Sequence, residues 1–200
     1  MKFLKFGLIS SLIFLSAILF EAKAQVYVIP EVGLNLSQFS FNKAGYENTV
    51  DVGFQAGVLG RYGKNAFLQA GVFYGEFANQ LMYTDSLMFS NSDQIKIQSI
   101  FLPIAVGFNI VNLDIFKIRL DAGINVTFPL EVKENSFNVV KSDFNTSNVG
   151  FAAGFGLDIF RFVFDANFSF GMNNMMTIND TDVSLNLYTI SIGYLIGKNY

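Results

Sequence analysis

The chain has 200 residues, the length of one ordinary domain, with 52% apolar and only 14% charged residues and a net charge of −3. It contains no cysteine and no histidine, which excludes disulfides, thiolate metal sites, a lipid-modified cysteine and every histidine-based catalytic arrangement. The acidic balance argues against nucleic acid as a partner, and nothing in the composition calls for a cofactor.

Lys2 and Lys5 precede an almost wholly apolar stretch from Phe6 to Phe20, and Ala22-Lys23-Ala24 then places small residues at the two positions a signal peptidase reads. This predicts a secretory signal peptide over residues 1–24, cleaved between Ala24 and Gln25, and a single domain over residues 25–200. Removing Lys2, Lys5, Lys23 and Glu21 leaves 10 basic against 15 acidic residues, a mature charge of −5.

The mean hydropathy of the whole chain is +0.40, yet past residue 24 no apolar run is long enough for a membrane helix. In lipid every backbone donor and acceptor must be satisfied within the protein, so the remaining membrane architecture is a closed sheet. The 24 Phe and 17 Gly favour pleated strands with bulky residues on one face and small ones on the other.

In chain order, strands are expected at Val26–Phe41, Asp51–Tyr62, Asn65–Phe77, Gln94–Ile110, Phe116–Phe128, Val149–Phe160, Phe160–Met172 and Val183–Ile196. The second opposes Val52, Phe54, Ala56, Val58 and Tyr62 to Asp51, Gly53, Gln55, Gly57 and Arg61. The fourth carries Pro103 in its middle, where a bulge or a local break in pairing is expected. The fifth is the clearest, with Phe116, Ile118, Leu120, Ala122, Ile124, Val126 and Phe128 alternating faultlessly with Lys117, Arg119, Asp121, Gly123, Asn125 and Thr127. The sixth has a row of small residues on its inner face, Gly150, Ala152, Gly154 and Gly156, ending in Asp158. The seventh stacks Phe160, Phe162, Phe164, Phe168 and Phe170 on one face, more than a small soluble core could hold.

Short connections at 62–65, 111–114 and 160–161 alternate with long ones at roughly 42–50, 79–93, 129–148 and 173–182. Together these features predict an all-β, eight-stranded antiparallel up-and-down transmembrane β-barrel with tight turns at one end and long polar loops at the other. Both termini, Gln25 and Tyr200, then lie in the periplasm of an outer membrane. The greasy faces contact outer-membrane lipid, and the terminal strand ending at Tyr200 carries an aromatic signal of the kind that barrel-assembly machinery reads. A protein partner would be met by the loops.

Charges on the inner face, Glu31, Arg61, Glu76, Lys117, Arg119, Asp121, Asp158, Arg161 and Asp165, are expected to pair across strands. An eight-stranded interior is only wide enough for its own side chains, so they form a structural network and not a pore lining. The oxygen-rich Asn179-Asp180-Thr181-Asp182 has no matching cation-ligand pattern, and the strand glycines precede no helix that could hold a phosphate. Two other readings are a soluble lipocalin-like barrel, in which Phe162, Phe164 and Phe168 would face inwards, and an outer-membrane enzyme using Asp180, Asp182 or Ser184.

Four segments, Leu102-Pro103-Ile104, Asn148 through Gly156, Ala166 through Asn174, and Ile192-Gly193-Tyr194, resemble the PorT-type outer-membrane β-barrel family of the Bacteroidota. The chain departs from that family's pattern in having Ile100-Phe101-Leu102 before Pro103 and Asn167-Phe168 in place of an Arg-Tyr pair. The resemblance implies an outer-membrane location and a barrel fold, and the family's namesake is associated with protein secretion; the absence of histidine is what points to a non-enzymatic function.

Overall fold

The computed structural model describes residues 25–41, 46–84, 90–113, 115–133, 141–178 and 181–197, nearly all of them strand. The predicted signal peptide, its cleavage site at Ala24, and Tyr200 lie outside the described residues. The strands are β1 (Val26–Phe41), β2 (Tyr46–Gly63), β3 (Ala66–Thr84), β4 (Ser90–Asn112), β5 (Phe116–Val132), β6 (Asn148–Ile159), β7 (Phe162–Gly171), β8 (Met176–Ile178), β9 (Thr181–Tyr194) and β10 (Ile196–Gly197).

Each long strand pairs antiparallel with the next, and β1 closes the sheet by pairing with β9 from Glu31↔Gly193 to Phe41↔Val183. The result is the expected closed eight-stranded up-and-down barrel. β10 is the same stave as β9, because Val28↔Ile196 continues the register of Glu31↔Gly193. The interruption falls opposite Pro30, which has no N–H to give to the ladder. β8 is a short hairpin partner of β9 at the loop end.

Pro103 acts in the same way. The β3–β4 ladder lapses between Ala70↔Ile104 and Phe73↔Phe101 and resumes in unchanged register, while Pro103 stays paired with Asn125 of β5. The effect is a local break and not a bulge.

Inside and outside follow the period of two. Phe162, Phe164 and Phe168 point outwards, 52%, 40% and 43% exposed, which rules out the lipocalin-like arrangement. Phe162 meets Tyr194, and Phe168 meets Tyr188, edge to face on the outer surface, with ring centroids 5.8 and 5.7 Å apart. Such cross-strand aromatic pairs add to the ladder.

The strands run longer than the alternation alone suggests. The polar stretches expected as loops at 42–50 and 79–93 instead continue as paired strand wherever they are described, with Asn48↔Leu81, Thr49↔Gln80 and Met82↔Ser92. In water a ladder needs only backbone partners, so it persists where the apolar alternation stops. β4, with 23 residues, is roughly 75 Å long at about 3.3 Å per residue. Even tilted by about 45° it exceeds a hydrocarbon layer of about 30 Å. Register shifts at Val50/Phe54 and Gln98/Ser99 mark where this taller wall begins, and bulges of this kind are frequent at barrel rims.

At the other end the turns are tight. Gly63 adopts φ 132°, and Phe160, a non-glycine residue, adopts φ 51° to reverse the chain between β6 and β7. The turns are stitched together, Asn109 Nδ2 donating to the Lys64 carbonyl at 2.6 Å and the Phe160 N–H to the Ile115 carbonyl at 2.9 Å.

Candidate functional site

The lumen is filled by its own side chains. Near the turn end, Arg61 of β2 donates to Asp158 at 3.1 Å, and Arg119 of β5 donates to Asp158 at 2.8 Å and to Asp165 of β7 at 2.9 Å. Arg119 is fully buried, and Arg61, Asp158 and Asp165 nearly so. The Arg61 guanidinium also lies 5.1 Å from the centre of the Phe67 ring, a cation–π contact.

The small-residue face of β6 is what lets this network form. Arg119, Gly156 and Asp165 are register partners across three strands, and a Cβ on Gly156 would sit 2.4 Å from the Arg119 guanidinium carbon. The guanidinium therefore lies over the glycine to reach β7. Asp121 and Asn167 lean over Gly154 in the same manner. Charges on β5 and carboxylates on β6 and β7 are thus joined through a gap only glycine leaves.

Glu31 accepts from the Ser191 hydroxyl at 3.1 Å, and Asn35 accepts from the Thr189 hydroxyl at 3.1 Å, which ties β1 to β9 across the closing seam. Glu76, expected on the inner face, instead faces outwards, since it alternates with the buried Phe77 and stands in register with the exposed Phe54; Lys133 meets it there at 2.5 Å, a contact that raises the Lys133 ammonium above its ordinary pKa. Lys117 is half-buried at the turn end. Arg161, expected on the inner face, is instead exposed in the Phe160–Arg161 turn. The alternation that would turn it inwards ends at Ile159, where the left-handed Phe160 reverses the chain.

Towards the loop end the lumen is stopped by apolar side chains, Phe77, Ile97, Phe101, Val183 and Leu185, with Phe144 and Met175 laid among them from the loops. An asparagine clamp holds those loops. Asn148 Nδ2 donates to the Asn173 carbonyl at 2.9 Å, Asn173 Oδ1 accepts from the Val149 N–H at 2.7 Å, and Asn145 Nδ2 donates to the Asn174 carbonyl at 2.7 Å. This clamp and the Asn35–Thr189 contact were not singled out in the sequence. Only an isolated polar residue on an inner face, or the doubled asparagine at 173–174, hints at them.

Of the residues weighed for other chemistry, Asp180 lies outside the described residues, and Ser184 stands on β9 next to the apolar stopper. Among the described residues no group of three His, Cys, Asp or Glu side chains is placed to hold a metal ion.

A closed eight-stranded barrel with a greasy exterior, a plugged polar interior and tall polar walls at one end agrees with the family model that the sequence matches, described as an outer membrane protein beta-barrel domain, over residues 23–177. The chain belongs to this family. It is an outer-membrane barrel. Among solved structures it is similar to the outer membrane protein OprG from Pseudomonas aeruginosa, with 16% identity, a TM-score of 0.55, and coverage of 87% of this chain and 97% of that one. It is also similar to Neisserial surface protein A, with 16% identity, a TM-score of 0.53, and coverage of 87% and 98%. At that identity the likeness is one of fold. No curated protein sequence matches the chain.

Proposed function

We propose that this barrel is a non-enzymatic anchor in outer-membrane lipid, with recognition of a protein partner carried by its loop end and both termini in the periplasm. The observation that carries this reading is the closure of the lumen. The Arg61–Asp158–Arg119–Asp165 network fills the turn end, and Phe77, Phe101, Phe144 and Met175 fill the loop end. A barrel filled in this way offers its rim and its outer face, and not a channel, to other molecules.

The asparagine clamp supports a recognition role for the loop end, because it orders the 141–149 and 172–176 segments against each other before any partner arrives. Preorganisation of this kind lowers the entropy lost on binding. A link to secretion or envelope assembly rests on the PorT-type resemblance. Two of the segments that carry it, 148–156 and 166–174, meet at Asn148 and Asn173. Contact of the terminal strand with assembly machinery rests on Tyr200.

The orientation is tested by cysteine substitutions labelled with a membrane-impermeant maleimide. Asn138→Cys is expected to react on whole cells and Lys64→Cys only after lysis, and the reverse pattern would overturn the orientation. Conductance above background from the purified barrel in a planar bilayer would overturn the anchoring role.

A further inference from the structure

Two of the tight turns carry side chains that a turn in water does not favour. Leu113 and Ile115, in the turn between β4 and β5, are each 58% exposed, and Phe160, in the turn between β6 and β7, is 59% exposed. Turns favour Gly, Pro, Asn, Asp and Ser, and the turn between β2 and β3 is polar, with Gly63, Lys64 and Asn65. The apolar turns are therefore not imposed by the barrel itself.

Phe160 is the sharpest case. Its φ of 51° lies in the left-handed region, where a bulky side chain is disfavoured and Gly or Asn is at ease. Strain of this kind persists only where something over-determines the residue. Packing inside the protein does not, because the ring is exposed and has no aromatic or cation–π partner among the described residues. What favours the ring lies outside the chain. The two turns also form one unit, since the Phe160 N–H donates to the Ile115 carbonyl at 2.9 Å, and Leu113 and Phe116 exchange backbone hydrogen bonds of 2.9 and 3.3 Å.

We propose that these two turns form an apolar foot seated in the phospholipid headgroup layer at the turn end, so that this side of the barrel is held in lipid down to its turns. Continuity identifies the occupant. The foot runs into the lipid-facing belt through Ile110 near the end of β4 and Phe162 at the start of β7, both more than half exposed. Aromatic side chains settle at the level of the headgroups, as the girdles of membrane barrels show. Arg161 sets the depth. It is exposed beside Phe160 and has no ion-pair partner among the described residues. Its stem can lie along apolar surface while the guanidinium stays among the phosphates, which places the foot in the headgroup layer and not in the hydrocarbon.

The inference rests on the reading of the outer face as lipid-facing, and the test separates the two. The chain contains no Trp, so a single introduced indole reports on its own position. Phe160→Trp and Ile115→Trp on the foot, and Phe168→Trp on the belt, are each refolded from urea into phosphatidylcholine vesicles whose acyl chains are unbrominated, brominated near the headgroup, or brominated deeper. Both foot reporters are expected to emit to the blue of the same chains unfolded in urea, and to be quenched more by the shallow bromine than by the deep. If Phe168→Trp is quenched while either foot reporter emits as in water and is unquenched, the foot is refuted and the turns are left open to a protein partner. Stronger quenching of a foot reporter by the deep bromine also refutes the headgroup placement. If Phe168→Trp is unquenched too, the lipid-facing reading falls with it. Should Phe160→Trp fail to fold, Ile115→Trp decides by the same outcomes.

Discussion

Arg119 and Asp165 are joined across an intervening strand, the guanidinium of β5 passing over Gly156 of β6 to reach the carboxylate of β7 at 2.9 Å. The same guanidinium holds Asp158 at 2.8 Å, so one buried cation organises two buried anions from different strands. The consequences of this arrangement are measurable.

Arg119→Met removes the shared partner and leaves Asp158 and Asp165 buried with less compensation. It is expected to lower stability by about 3–5 kcal/mol, read as a shift in the urea midpoint of the barrel folded into lipid vesicles. Arg161→Met, at the exposed turn, is the control and is expected to stay within about 0.5 kcal/mol of wild type.

Gly156→Ala places a methyl group where the Arg119 guanidinium lies, 2.4 Å from its carbon. Such overpacking is expected to cost about 1–3 kcal/mol. At Gly60, on the outer face, the nearest atom to an added Cβ is 3.6 Å away, and Gly60→Ala is expected to leave stability unchanged or slightly raised. Equal effects at the two positions in chemical denaturation would contradict the packing described for the network.

Phe168→Lys puts a charge on the outer apolar face next to Tyr188. In lipid vesicles this is expected to cost about 2–4 kcal/mol if the position lies near the midplane, and less towards either interface. A soluble barrel with a solvated exterior would instead gain solubility from the change, so the comparison also tests the membrane setting.

Phe77→Ala opens the stopper at the loop end, where Phe77 is fully buried and its ring centroid is 6.1 Å from that of Phe101. Loss of about 3–5 kcal/mol is expected. Conductance in planar bilayers is expected to remain at background, because the arginine network still closes the turn end. Current through this variant would show that the stopper alone seals the lumen.

The alternation along Phe116–Phe128 assigns each residue to the inner or outer face without any knowledge of its neighbours, since successive side chains in a strand point to opposite sides. The same local rule made the phenylalanine face of β7 and the glycine face of β6 legible. It failed where the chain leaves the extended conformation, as at Phe160, and so it misplaced Arg161. It also stopped short where polar strands continue into water, as at Asn48 and Ser92, because hydrogen-bonded pairing there leaves no hydrophobic trace.

What the sequence determined by itself was the class: eight amphipathic segments, too greasy for water on one face and too charged for lipid on the other, which only a closed barrel reconciles. Which charges meet was decided by the tertiary structure alone. Arg119 finds Asp158 and Asp165, and Asn148 finds Asn173, through strand register and the space left by glycines. Those contacts are set by the stagger of neighbouring strands, a property of the closed sheet that no single segment encodes.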